Sequence, residues 1–403
     1  MNFLVFSFAS FEKNYSSCHL YEAIISSMLK RGHSVTLFQK KYSATSKCLP
    51  DSLIGSGGLN VVGIPFTVAK GESLKRRYIA DFHYVRKAIK LLRSMGKFDA
   101  ALVQSHNAPG FTIARLNRLG IRCVYNEQDI FPLNALEAGL LQKGVVYSIA
   151  KKMVLSGYRK ADRIITISED MAGVIEQAGV QHYKLQIVHN WCRRNRNYLV
   201  SDDKNIFLKN FSSVLNGKYC VVYAGNIGRM QGVSTVISAA KMVDDADILF
   251  VVVGDGNEKS LLMKTTDELK LKNIVFIDSQ PEEISQDIYA AADINLIPLL
   301  EGVTNTCMPS KTAACIHSRR PLIASVDPGT WAFDMFDSIS FGMSVKAGDA
   351  AALANAILEF RNKYGSRYLA DPDFNHELMF SEANAELYVD TLEKVTCEEE
   401  SAR

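Results

Sequence analysis

Three segments in the second half of this 403-residue chain combine glycines and cations in a way that suits an anionic ligand. They are YAGNIGRMQG (Tyr223 to Gly232), FVVVGDGNEK (Phe250 to Lys259) and MPSKTAACIHSRRPLIAS (Met308 to Ser325). The first two read as a buried strand, a glycine turn and the start of a helix. The third reads as a polar loop entering a helix and then returning into a strand. Gly225, Gly228 and Gly254 permit positive φ and let backbone N–H groups come close to a phosphate. Lys311, read in the first turn of its helix, opposes the helix dipole and is unfavourable there unless an anion is present. Ser310 beside it suits either an anion or a helix cap. Arg229 has the fork geometry to grip phosphate with two hydrogen bonds, its alternative being a solvated loop arginine.

The first half offers a different set. His106 follows the apolar run Ala100–Gln104 and precedes a helical pattern, which puts it at a carboxyl strand end, where open α/β sheets place ligands. A histidine there donates or accepts a hydrogen bond near neutral pH, although lone histidines at loop starts are usually structural. Asp129, in NEQDIFPLNALEAG (Asn126 to Gly139), suits a cleft lining and a helix N-cap equally, with Gln128 beside it. Asn190, in VHNW, falls at the edge of the first half.

These residues need a scaffold, and the rhythm of the chain supplies one. Apolar runs of four to eight residues alternate with helical patterns, which points to parallel, doubly wound α/β sheets. In the first half the strand candidates are 3–8, 34–38, 59–63, 100–104, 122–126, 163–167 and 185–188. In the second they are 219–223, 247–253, 274–277, 294–297, 322–324 and 340–343. A polar stretch, 193–209, separates the halves, so we expect one Rossmann-like domain over residues 1–195 and another over 196–375. The pattern 376–395 reads as a C-terminal helix.

Bulk properties exclude several classes. A net charge of +3 is too small to argue for nucleic acid. No run reaches the ~18 apolar residues of a membrane span. The N-terminus, MNFLVFSFASFEK, lacks a basic leader and reads as a first strand. Eight cysteines include no Cys-x-x-Cys pair, so reduced thiols and no bound metal are expected. LKRRYIADFHYVRKAIKLLRSMGK (Leu74 to Lys97) is basic and aromatic, as interfacial helices are, its alternative being a core helix with a solvated rim. Lys151, Lys152, Arg159 and Lys160 form a second basic group. Both suit an anionic membrane surface.

The order and spacing of the three glycine and lysine segments resemble the nucleotide-sugar half of a retaining GT-B glycosyltransferase of family four. The segments PSKT, PLIAS and NEQDIFP are similar to its bacterial capsule and O-antigen branch, and KADRIITISEDM followed by VHNW resembles the family at large. The resemblance implies a GT-B fold, with two Rossmann-like domains facing across a cleft and a last helix that crosses back to the first domain. It implies transfer of a sugar from a nucleotide diphosphate donor, a UDP-linked sugar, to a lipid-linked saccharide. The work would be done without metal or other cofactor, in the cytoplasm at the inner face of the cell membrane. It places Gly225, Asn226, Gly228, Gln231, Gly254, Asp255, Thr306 and Ser310 at the donor, with Arg229 and Lys311 at the diphosphate. It sets His106 beside the transferred sugar and Asp129 and Asn190 in the cleft.

The chain departs from the family pattern in places. Asn226 and Gln231 stand where many members have an arginine and a lysine. Thr306 and Ala314 stand where better-known members have two glutamates, the second of which holds the donor ribose. SFEKNYSSC (Ser10 to Cys18) lacks the glycine pair found after the first strand of many relatives, and Lys13, Asn14 and Ser16 are the side chains available instead. Arg193, Arg194 and Arg196 read as an exposed linker run. Two other classes stay open: a sugar-nucleotide epimerase, for which Glu301 is the one carboxylate in the key loop, and a non-catalytic scaffold subunit.

Overall fold

The computed structural model describes residues 1–11, 17–42, 49–67, 74–193 and 198–400. Lys13, Asn14, Ser16, Arg194 and Arg196 therefore lie outside the described residues. Packing divides the chain into two units, Met1–Asn190 with Glu382–Arg403, and Trp191–Ser381.

The first unit is built on seven parallel strands: β1 (Asn2–Phe6), β2 (Ser34–Lys41), β3 (Leu59–Pro65), β4 (Ala100–Gln104), β5 (Arg122–Glu127), β6 (Arg163–Thr166) and β7 (Leu185–Ile187). Their order is β3-β2-β1-β4-β5-β6-β7. Phe3 to Phe6 are wholly buried, as expected of a strand covered on both faces. Val5 pairs with Leu37 on one side and Leu102 on the other. The strand order reverses between β1 and β4, which opens a crevice at their carboxyl ends.

Two helices of this unit approach closely. Pro109–Asn117, with proline at its start, packs on Val145–Lys160. A Cβ on Gly110 would lie 2.7 Å from the Met153 carbonyl oxygen, and one on Gly157 would lie 2.7 Å from Pro109 Cβ. Only glycine allows that spacing, and it locks the second helix against the first.

The basic segment Leu74–Leu92 is a helix, but its apolar face is not free. Tyr84, Val85, Ala88, Ile89 and Leu92 are buried in the unit, leaving Ile79 and Leu91 as its exposed large apolar groups. The reading as an interfacial helix therefore gives way to that of a core helix with a basic rim, because the apolar area is already spent on folding.

The expected helix over 376–395 is two helices in the structure, Phe374–Met379 and Ala385–Glu400. Phe380, which follows the first of them, is buried, and the Asn384 amide donates to the His189 carbonyl at 2.9 Å. The break marks the passage from the second unit to the first. The final helix lies on Cys18–Lys30, where Arg31 reaches Glu386 at 2.6 Å, Asp390 at 2.7 Å and Glu393 at 3.0 Å.

The second unit has six parallel strands: β8 (Tyr219–Ala224), β9 (Ile248–Val253), β10 (Ile274–Ile277), β11 (Ile294–Pro298), β12 (Leu322–Val326) and β13 (Gly342–Lys346). Their order is β10-β9-β8-β11-β12-β13, so the reversal falls between β8 and β11. Alternate residues such as Val221, Tyr223, Phe250 and Val252 face the helices Val233–Met242 and Ala350–Tyr364. Val222, Val251 and Val253 pack on the other side with Phe207 and Ile288.

Candidate functional site

The crevice between β8 and β11 gathers most of the residues picked out in the second half. The chain leaves β8 at Gly225, whose φ is +145°, and runs through Asn226 to the short turn Arg229–Gln231. The loop after β11 is tied to it, the Leu300 N–H donating to the Met230 carbonyl at 2.9 Å. A Cβ on Gly225 would lie 3.1 Å from Lys311 Cε, so the lysine lies directly over the glycine turn.

Lys311 precedes the helix Thr312–His317 rather than opening its first turn. That helix has six residues, so the dipole conflict expected from the sequence is small. The conflict that does exist is burial. The half-buried ammonium sits 3.9 Å over the Tyr223 ring, and among the described residues no carboxylate lies within ion-pair distance. Burial draws its pKa down to about 8, with the Cys315 thiol acting the other way. An unpaired cation in a low-dielectric crevice is costly unless an anion joins it.

Hydrogen-bond donors surround it. The amides of Asn226, Gly228, Ser310 and Lys311 have no acceptor among the described residues. The buried Thr312 hydroxyl has no partner either. Ser310 is exposed and does not cap the helix, which starts without a side-chain cap. Arg229 is exposed and, among the described residues, has no acidic partner. Such groups are satisfied by water or by a ligand.

Other predicted residues have structural duties. Asn226 Nδ2 donates to Gln231 Oε1 at 3.1 Å, which braces the turn around Gly228. Gly254, with φ +147°, has the Gly225 carbonyl where a Cβ would stand, and Asp255 accepts from the Gly256 N–H at 2.8 Å. Thr306 is wholly buried, and both its hydroxyl and its N–H donate to the Val303 carbonyl. Glu301 is exposed and pairs with Lys346 at 3.3 Å.

In the first unit the turn after β1 is tied to the end of β4. Gln104 Oε1 accepts from Ser7 Oγ at 2.9 Å, Phe8 N at 2.7 Å and Ala9 N at 3.0 Å. His106 stacks on Phe8 at 3.8 Å. Its Nδ1 lies 2.9 Å from the Gln104 carbonyl, which only accepts, so Nδ1 carries the proton. Nε2 then accepts from the Thr112 hydroxyl at 2.8 Å. Burial lowers the imidazole pKa to about 4, and the ring is neutral with both nitrogens engaged. Asn190 donates to Gln128 at 2.7 Å, Gln128 donates to Asn126 at 2.7 Å, and Tyr388 of the last helix reaches Asn126 at 3.3 Å. Asn190 Oδ1 is buried and has no partner among the described residues. Asp129 is exposed after β5 and does not cap the short helix Leu133–Glu137.

The glycosyltransferase family 4 model matches residues 21–196, and the glycosyl transferases group 1 model matches residues 218–363. Each unit thus carries a match to a glycosyltransferase family model. Among curated proteins the chain is 26% identical over 242 residues to the probable glycosyltransferase WbjE of Pseudomonas aeruginosa, covering 60% of each. It is 30% identical over 208 residues to the putative colanic acid biosynthesis glycosyl transferase WcaI of Escherichia coli K12, covering 51% of each. The chain thus spans between half and two thirds of the length of these relatives. Among solved structures, sucrose-phosphate synthase from Thermosynechococcus elongatus superposes with a TM-score of 0.77 at 14% identity, over 99% of this chain and 100% of that one. Anabaena Alr3699/HepE, in complex with UDP and glucose, superposes with a TM-score of 0.66 at 15% identity, over 100% of both chains. The fold is the α/β GT-B fold.

In the two units several polar groups escape a reading of the sequence. Asp327, just after β12, accepts from the Gly302 N–H at 2.9 Å and the Thr304 N–H at 3.2 Å, which fixes the loop that leads to Lys311. Its signal was the VDPG turn after an apolar strand. Lys40 and Asp81 form a buried ion pair at 2.8 Å, with Lys40 3.9 Å over the Phe66 ring. Glu127, at the end of β5, accepts from the Tyr158 hydroxyl at 2.8 Å. No local motif announces either group, since the partners come from separate elements.

Proposed function

We propose that the chain is a retaining glycosyltransferase that moves a sugar from a nucleotide diphosphate donor, UDP-linked, to a lipid-linked saccharide in surface polysaccharide synthesis. Lys311 carries this reading: a half-buried cation lies over the glycine turn at the β8/β11 crevice, with no carboxylate among the described residues to neutralise it. The printed names of the relatives support the pathway, WcaI being named for colanic acid biosynthesis. The UDP held by HepE supports the donor.

Lys311, Arg229 and the open amides of Asn226, Gly228, Ser310 and Lys311 meet the diphosphate. As the bond between the sugar carbon and the phosphate oxygen breaks, the electron pair stays with the departing diphosphate. Fixed positive groups stabilise that charge without having to reorganise. The two cations take the part a divalent ion plays elsewhere, so no metal is proposed. The acceptor hydroxyl adds to the same face of the sugar carbon, and its proton passes to the leaving phosphate oxygen. His106 is neutral with both nitrogens committed, so it is not proposed to carry a proton in the reaction. Work on a lipid-linked acceptor places the enzyme at the inner face of the cell membrane. No helix among the described residues is long and apolar enough to cross one.

Calorimetry with UDP and GDP tests the donor site, followed by acceptor-dependent release of nucleotide from UDP-sugars. UDP binding that weakens in Lys311→Ala is the expected result. Absence of binding by either nucleotide removes the enzymatic reading. Sugar interconversion without an acceptor replaces transfer by epimerisation.

A further inference from the structure

The first unit exposes a compact apolar tip that the fold does not use. Val145, Val146 and Ile149, on the first turns of the helix Val145–Lys160, are 76%, 62% and 54% exposed, and Leu140 just before them is 54% exposed. Exposed large apolar side chains scattered singly need no explanation, but four within ten residues form a patch. The tip is bordered by charge of one sign. Between Glu137 and Asp162 the chain has no acidic residue and carries Lys143, Lys151, Lys152, Arg159 and Lys160.

The arrangement along the helix is graded. At about 100° per residue, Val145, Ile149, Lys152 and Arg159 share one face. Apolar groups occupy its start and cations its later turns. A rise of 1.5 Å per residue sets Lys152 about 10 Å beyond Val145. That matches the depth to which interfacial segments bury apolar side chains below the head groups. The helix is flanked by two apolar cavities. One, of about 460 Å³, is lined by Ile130, Phe131, Val154 and Val174, with Lys151 also in its wall. The other, of about 370 Å³, is lined by Phe82, Phe111 and Met153, with Lys152. The close contact of Gly110 and Gly157 holds the far end of the helix rigid.

We propose that Leu140 and the N-terminal turns of the Val145–Lys160 helix enter an anionic bilayer tip first, with Lys143, Lys151 and Lys152 against head-group phosphates. The flanking cavities receive lipid hydrocarbon. This goes beyond the transferase reading, which needs a lipid-borne acceptor but names no membrane-entering element, and it moves the contact away from the basic helix Leu74–Leu92.

The test is co-sedimentation of the full chain with mixed phosphatidylcholine–phosphatidylglycerol vesicles and with pure phosphatidylcholine vesicles at low salt. Wild-type protein is expected on the mixed vesicles. Val146→Glu with Ile149→Glu should lower that partition by at least about tenfold, from loss of two apolar insertions. Lys151→Gln and Lys152→Gln should each lower it about fivefold on mixed vesicles and leave pure phosphatidylcholine unaffected. The substituted residues are exposed, and unchanged melting and UDP binding confirm that folding is intact. The proposal falls if the wild type ignores mixed vesicles or the double variant partitions normally. It falls equally if soluble glycerol phosphate displaces the protein, or if sedimentation equilibrium reveals a dimer that the double variant breaks. Vesicle binding without UDP binding leaves this proposal standing and removes the transferase reading.

Discussion

Lys311 Nζ lies 3.9 Å above the centre of the Tyr223 ring. An aromatic face attracts a cation by about 0.5–2 kcal/mol but cannot neutralise it. The ring therefore holds the ammonium in place over Gly225 while leaving its charge available. Tyr223 is itself fixed, its hydroxyl donating to the Asn226 carbonyl at 2.5 Å. One residue thus supports the lysine with its ring and the glycine turn with its oxygen.

Replacing Lys311 by alanine should cost about 2 kcal/mol of UDP affinity, or about 30-fold, as loss of a charged hydrogen bond does. Thermal stability should hold or rise, because a half-buried charge without a carboxylate partner is removed. Calorimetry and a thermal melt of the same variant give both readings.

UDP affinity should fall as pH rises through about 8. Burial holds the free Lys311 pKa down to about 8, and only the protonated form attracts a diphosphate. Below that pH the charge is already present. Above it, binding must take up a proton, and affinity declines by up to about tenfold per pH unit. Titrations in buffers of different ionisation enthalpy will reveal the proton uptake, and Lys311→Ala should abolish it.

Gly254→Ala should destabilise the second unit by several kcal/mol and abolish UDP binding. A Cβ there collides with the Gly225 carbonyl, in a backbone conformation that L side chains rarely adopt. Strain and overpacking each cost about 1–3 kcal/mol. Gly217→Ala is the control: its φ is also positive, at +73°, but its Cβ meets open space. It should cost about 1–2 kcal/mol, the strain of the left-handed region alone. Denaturant melts of the two variants separate collision from conformational strain.

Glu127→Gln should flatten the pH dependence of stability. Burial pushes the Glu127 carboxyl up to about 8, while its hydrogen bonds with Tyr158 and Tyr125 pull the other way. Between its unfolded value near 4.5 and 8 the folded state binds more protons than the unfolded one. Stability from this group is thus full below about 4.5 and is lost as pH rises towards 8. The glutamine keeps an acceptor for Tyr158 and does not titrate. Melting temperatures from pH 5 to 8 should decline less in the variant than in the wild type.

The thirteen strands of the described residues were legible in the sequence because fully covered parallel strands are short, continuous apolar runs that end in turn residues. The last one slipped: residues 340–343 were expected, but β13 is Gly342–Lys346. It lies at the edge of its sheet, where Ser344 and Lys346 interrupt the apolar run. The glycine turns of the crevice were legible for the same local reason. The surroundings of Lys311 were not, since the ring beneath it comes from β8 and spacing carries no trace of the contact. His106 was legible as a position but not as a chemical state, which is set by Phe8 stacked on it and Thr112 one helical turn and more beyond. The basic helix Leu74–Leu92 had an amphipathic pattern, but pattern alone does not say whether protein or lipid takes the apolar side.

Gln104 gives the tied turn of the first unit a further meaning. The two sheets reverse their strand order at the same place, yet one side-chain oxygen in the first quenches the donors that the second keeps open. The same strand order therefore serves two ends: a closed turn in the first sheet and, in the second, amides left open among the described residues. The first is stiffened instead, with the neutral His106 ring stacked on Phe8 and both ring nitrogens engaged.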